Sequence, residues 1–238
     1  MDDTERDEGL ATLYEDEWLV AVDKPAGIIV HGDGTGAATL TDLVRSHLEA
    51  EGRDASDLQA VQRLDRETTG VVCFSLDKDV QPKLDALVAG HGMHKRYLAV
   101  VSGDVSWECQ RFDGPIARDR HDARRMRVGE GGKPAETRAV CKARTSAGRT
   151  RGGASVHSLL LVELRTGRRH QIRVHLSTDG HPIVGDVLYG GERSDDGLML
   201  HALEEEFDHP VTGEHLVVRA PWPHRFDRWF GEGDVAAD

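Results

Sequence analysis

The sequence predicts an α+β fold: a single domain around a mixed, largely antiparallel β-sheet with flanking helices. Three features carry that reading. At least six short runs rich in Val, Ile and Leu, bounded by Gly, Pro or Asp, read as strands. Only three stretches have helical spacing. Crossover helices are therefore too scarce for a doubly wound parallel sheet. The domain is expected to span residues 10–230, between an acidic tail at 1–9 and a tail at 231–238, both frayed.

Taken in order, "WLVAVDKPAGIIVHG" reads as a strand, a Pro-Gly turn and a second short strand. "TLTDLVRSHLEAEG" puts Leu40, Leu43, Val44, His47 and Leu48 at helical spacing, with Gly52 as the stop. "GVVCFSLD" is too short and too β-branched for a helix and reads as a central strand. "DKDVQPKLDALVAGHG" is a helix with Leu84, Leu87 and Val88 inward and Gly90 or Gly92 at its end. "KRYLAVVSG", "SLLLVEL", "LMLHALEEEF" and "HLVVRAP" are further strands. Residues 111–133 are polar and basic, an exposed hairpin or loop. In "RTGRRHQIRVHLSTDGHP", Ile172 and Leu176 are four apart, and Gly180 followed by Pro182 is a stop signal. A helix over 168–179 follows, with Arg169 and Arg173 on one face.

The 238 residues are 38% hydrophobic and 30% charged, a globular composition. No run approaches the roughly 18 apolar residues of a membrane span. The start, "MDDTERDEGL", has no apolar core and is no signal peptide. Cys73, Cys109 and Cys141 are far apart and form no CxxC pair, which argues against a disulfide framework or a structural zinc site. A cytoplasmic protein is expected.

The net charge of −12 is unevenly placed. Residues 1–17 and 192–214 each carry eight acids and one base. Residues 111–173 carry sixteen Lys and Arg against six Asp and Glu. A polyanion responds to the field within a Debye length, roughly 8–10 Å, rather than to the chain total. On charge alone, a nucleic-acid surface and a solvated arginine-rich face remain equally open.

Several chemistries are excluded. His170 and His175 are five apart, about 140° around a helix, and cannot easily share a metal. No HExxH, GxSxG or GK[ST] motif occurs, and "GDGTGAATL" lacks phosphate-loop spacing. What remains is "VQRLDRETTGVV", with Asp65 bracketed by Arg63 and Arg66. Such a bracket favours an ionised carboxylate, suited to act as nucleophile or base and not as acid. An ordinary salt bridge explains the local string equally. No second carboxylate is evidently paired with Asp65, which weakens a two-carboxylate glycosidase.

"RLDRETTGVV" resembles the active-site motif of the RluA-like family of RNA pseudouridine synthases, first defined on large ribosomal RNA. "HKRYLAVVSG", "GKPAETRAVC", "LLLVELRTGRRHQIRVHLSTDGHPIVGDVLYG" and "LMLHALEEEFDHPVTGEHLVVRAPWP" are similar to further family segments in the same order. Gln62 stands where the family usually has His, and Thr69 where it usually has Ser. The chain starts directly at the catalytic motif, without the small N-terminal RNA-binding domain of some members.

The resemblance implies isomerisation of uridine in structured RNA, ribosomal or transfer, to its carbon-linked isomer. No cofactor, metal or membrane is involved, and a monomer is expected. It implies Asp65 as the essential aspartate, Arg173 as its partner and Tyr97 as the residue stacked on the uracil. Arg63 would enter the RNA where the uridine leaves, and Arg66 would contact phosphate. Thr68 and Thr69 would shape the turn presenting Asp65. Arg118, Arg124, Arg125, Arg127 and Lys133 are the expected phosphate contacts, with Arg168 and Arg169 near the cleft mouth. Two rivals stay in view. A non-catalytic RNA-binding protein would not need the Asp65–Tyr97–Arg173 set, and a nucleoside or sugar hydrolase would not need the basic hairpin.

Overall fold

The computed structural model describes residues 10–32, 34, 36–150 and 153–236. The acidic tail and parts of the glycine-rich 31–36 segment lie outside the described residues. In chain order the elements are β1 (Thr12–Glu15), β2 (Leu19–Lys24), α1 (Leu40–Ala50), β3 (Gln59–Ala60), β4 (Thr69–Ser75) and α2 (Gln81–Ala89). Then follow β5 (His94–Ser102), β6 (Cys109–Phe112), β7 (Ile116–Arg118), β8 (Met126–Val128), β9 (Thr137–Thr150) and β10 (Gly153–Leu164). The chain continues with α3 (Gln171–Thr178), a 3-10 turn at Val187–Tyr189, β11 (Leu200–Asp208), β12 (His215–Arg219) and α4 (Gly233–Ala236).

Ten strands form one sheet in the order β1-β2-β4-β11-β5-β10-β9-β6, with β12 beside β11 and β3 beside β4. Every strand pairing described is antiparallel except β4 with β11. The mixed, largely antiparallel α+β reading therefore stands. The period-two alternation of strands divides the core. Val20, Val22, Val72 and Phe74 face α1 and α3 in one cluster; Leu19, Ala21, Val71 and Cys73 face α2 in another. Burial on both faces is why β4 reads as an unbroken apolar run rather than an alternating one.

α1 starts with a capping box: Thr39 accepts from the Asp42 backbone, and Asp42 accepts from the Thr39 backbone. It buries Leu40, Val44 and Leu48. Leu43 and His47, expected inward, instead border solvent, because the buried stripe is only three positions wide. Residues 28–32 do not form the expected second strand; they lead irregularly into the α1 cap. The tail expected to fray at 231–238 includes α4, whose Val235 packs on the core.

Gly70 fixes where the one parallel pairing can form. It lies opposite Ala202 at φ +106°, and a Cβ there would stand 2.0 Å from the Ala202 carbonyl oxygen. Only glycine allows β11 that close to β4. The Asp65 turn is thereby set at the mouth between these two central strands.

Candidate active site

Asp65 sits on the turn leading into β4, closed by the Thr68 amide donating to the Asp65 carbonyl at 3.1 Å. The turn is held from below by Lys24, which is fully buried at the end of β2. Its ammonium donates to the carbonyls of Pro25, Arg66 and Thr68 at 2.9, 2.9 and 2.8 Å. All three ammonium donors are thus satisfied. Burial pushes Lys24 down to about 8, with Glu67 and Asp65 opposing the shift. Thr69 ties the start of β4 to β11. Arg225 donates to its hydroxyl at 2.8 Å, and the hydroxyl lies 2.8 Å from His201 Nδ1. Burial drives His201 down to about 3, so its imidazole is neutral and can accept.

Arg173, on the first turn of α3, approaches Asp65 from the opposite side. Its Nη1 donates to Asp65 Oδ2 at 3.2 Å. Its Nε and Nη2 donate to the two oxygens of Asp186 at 2.7 and 2.9 Å. Burial alone would lower the Arg173 pKa, but the Asp186 and Asp65 carboxylates outweigh it and raise it. Asp186 is itself buried, and sequence reasoning missed it. The string "VGDV" gives no local sign that its aspartate forks onto an arginine thirteen residues upstream.

Asp65 and Arg173 border a cavity of ≈ 240 Å³ that also takes in Tyr97, Lys95, Thr68 and Leu200. Among its described lining residues, Asp65 is the sole carboxylate. Tyr97 is 6% exposed. Its pKa is pushed up by burial, then by Glu205 and Asp65, so it stands as a neutral phenol. Behind this wall Gln62 donates to the buried Glu205 at 2.5 Å, which gives that departure from the family pattern a definite partner. Burial raises the Glu205 pKa. The acidic run that includes it is therefore not simply a solubilising surface: Glu204 and Glu206 also clamp Arg96.

The cavity opens into a wider groove of ≈ 680 Å³ bordered by Arg63, Arg66, Arg124 and Arg169. The expected helix over 168–179 begins only at Gln171, since His170 adopts a left-handed backbone at φ 55°. Arg169 therefore shares no helix face with Arg173. The two meet in the groove because the preceding turn swings Arg169 toward the carbonyl of Arg124, at 3.2 Å. Arg168 borders the cavity and donates to the Pro134 carbonyl.

Within the basic segment, β7 and β8 form a separate two-stranded hairpin. Arg118, Arg124 and Lys133 are exposed, and Arg127 is half-buried. Arg124 is also held by Asp122 at 2.7 Å. Arg125 does not reach outward like its neighbours: its guanidinium packs over the Tyr189 ring at 5.3 Å. Neither His170 nor His175 faces a metal. His175 is fixed by Thr137 and the Gly114 carbonyl, and no described group of His, Cys, Asp and Glu has ligand geometry. No helix among the described residues is long and apolar enough to cross a membrane.

Residues 18–178, which contain Asp65, Tyr97 and Arg173, match the family model for RNA pseudouridylate synthase. The chain belongs to that family. This member is 35% identical over 216 residues to RNA pseudouridine synthase YhcT of Bacillus subtilis, covering 90% of this chain and 69% of that one. It is 36% identical over 219 residues to ribosomal large subunit pseudouridine synthase C of Pasteurella multocida, covering 88% and 63%. The chain thus spans about two thirds of the length of these relatives. Its fold superposes on human RNA pseudouridylate synthase domain containing 1 with a TM-score of 0.75 and 26% identity, covering 93% of this chain and 86% of that one.

Proposed function

We propose that this chain converts specific uridines of structured RNA, ribosomal RNA foremost, to pseudouridine with Asp65 as the essential carboxylate. The observation that carries the reading is the Asp65–Arg173 pair, 3.2 Å apart at the wall of a base-sized cavity that also contains Tyr97. The names of the relatives support ribosomal RNA as the substrate.

A stacked uridine is out of reach, so it must leave the helix at a cost of a few kcal/mol. Arg63, at the junction of cavity and groove, enters the space the base vacates. Contacts from Arg66, Arg118, Arg124, Arg127, Lys133 and Arg169 to phosphates offset the cost. In the cavity the uracil stacks on Tyr97. Asp65, kept aimed by Arg173, acts on the ribose or the base. The glycosidic bond breaks, the uracil turns, carbon 5 bonds to the ribose and its proton departs. The neutral phenol of Tyr97 suits a stacking surface better than a resting base. The lack of a second lining carboxylate disfavours a hydrolase, which needs an acid beside the nucleophile.

The test uses a ribosomal RNA transcript carrying tritium at carbon 5 of its uridines. Enzyme-dependent release of tritium to water is expected with the RNA and not with free uridine. Release of free uracil instead would establish a hydrolase.

A further inference from the structure

The hydroxyl of Tyr189, on the 3-10 turn, lies between two elements. The Met126 amide of β8 donates to it at 2.8 Å, and His170 Nδ1 stands 2.7 Å away. A backbone amide can only donate, so the Tyr189 oxygen must accept there. Its single proton is then directed to His170 Nδ1, which must be a bare nitrogen. A neutral imidazole with Nδ1 bare carries its proton on Nε2. That nitrogen faces Asp65 Oδ1 at 3.8 Å. Burial lowers the His170 pKa despite the pull of Asp65, in keeping with a neutral ring.

The surroundings hold this chain of groups in place. The Tyr189 ring is sandwiched by Arg173 at 5.1 Å and Arg125 at 5.3 Å, and its carbonyl accepts from Ser177 at 2.7 Å. His170 keeps a left-handed backbone that costs a non-glycine residue of order 1–3 kcal/mol. That strain turns the ring between Tyr189 and Asp65 rather than onto α3.

We propose that Tyr189 and His170 are positioning residues: the β8 backbone, through the Tyr189 hydroxyl, fixes the His170 tautomer that turns an Nε2 proton toward Asp65. Arg173 holds one oxygen of the aspartate and His170 orients the other, so the carboxylate is presented in a single attitude. A hairpin displaced from its place releases the tautomer. RNA engagement by the hairpin is thereby linked to the readiness of Asp65. The inference rests on Asp65 as the reacting group, but its first readout does not.

The first readout is the ring-nitrogen NMR spectrum of the ¹⁵N-labelled full chain, with His170→Asn assigning the signals, since asparagine tolerates the left-handed backbone. The Nε2–H tautomer is expected in the native chain and a mixture in Tyr189→Phe. The second readout is the single-turnover rate at saturating enzyme. Tyr189→Phe should slow it between about 10- and 100-fold, the scale of a misplaced catalytic group, with RNA affinity within twofold and the melting curve intact. Met126→Pro, which removes only the amide donor, should slow it equally, and the double variant no further. An Nδ1–H tautomer in the native chain, a native rate in Tyr189→Phe, or losses that multiply in the double variant would each overturn the proposal. The tautomer arm decides even for an RNA that is not turned over.

Discussion

Arg173 divides its guanidinium between two carboxylates: Nη1 donates to Asp65 at 3.2 Å, while Nε and Nη2 hold Asp186 at 2.7 and 2.9 Å. Only a planar fork can serve both at once. Arg173→Lys keeps the charge and loses the division. It should be nearly inactive at unchanged RNA affinity, as single-turnover kinetics beside a binding titration will show. Arg66→Ala, by contrast, should keep much of its activity. The reverse order would mean that Arg173 is not the partner of Asp65.

Asp186 touches no part of the cavity, yet it sets the arginine's position. Asp186→Asn should lower the single-turnover rate between about 10- and 100-fold through misplacement. It should also reduce stability by about 1–3 kcal/mol, the cost of a weakened buried charge pair. Chemical denaturation checks the second figure. A variant with native stability and native rate would make the bidentate pair an ornament of packing.

Lys24 gives the site a pH dependence whose two signs differ. Its folded-state pKa of about 8 lies below the ordinary 10.5. Between those values the unfolded chain holds the proton and the folded chain does not, so Lys24's contribution to stability rises with pH there. The neutral amine, however, has two donors for three carbonyls. One of the Pro25, Arg66 and Thr68 carbonyls is released, and the Asp65 turn loosens. Activity should fall above pH 8 without a matching fall in melting temperature on Lys24's account. Lys24→Met should lack that alkaline limb. A limb that persists in the variant would assign it to another group.

Salt dependence tests the groove. Each phosphate contact to a single strand contributes roughly −0.7 to the slope of log affinity against log salt. Replacing Arg118, Arg124 and Arg127 by Ala should flatten the slope by about two units if all three contacts are made. Arg125 is left in place because it packs on Tyr189. Chemistry on bound RNA should change little. An unchanged slope would leave the hairpin arginines as a solvated face.

Much of this is legible in the sequence because it is local. Strand alternation, the α1 cap and the Asp65 turn are written within a few residues, and the long motifs place Tyr97 and Arg173 beside Asp65 through the family resemblance. What the sequence hides is contact between distant segments. Lys24 looks like an ordinary strand-end lysine until its carbonyl partners 42 and 44 residues away are seen. Asp186 and Tyr189 sit in a Gly-rich stretch that reads as loop. Periodicity overextends α3 because it cannot register the left-handed turn at His170, which tertiary contacts to Tyr189 enforce. Arg125 looks like one more basic side chain, and packing on an aromatic ring decides otherwise.

The most direct measurement of the central claim compares native protein with Asp65→Asn on a ribosomal RNA transcript, digested to nucleosides and separated by mass-detected chromatography. The amide keeps the shape of the aspartate and removes its charge. The account predicts that native protein converts a defined subset of uridines to pseudouridine. The variant should fold, bind the same RNA within a few-fold and convert none. Conversion by the Asn variant above trace level would contradict it.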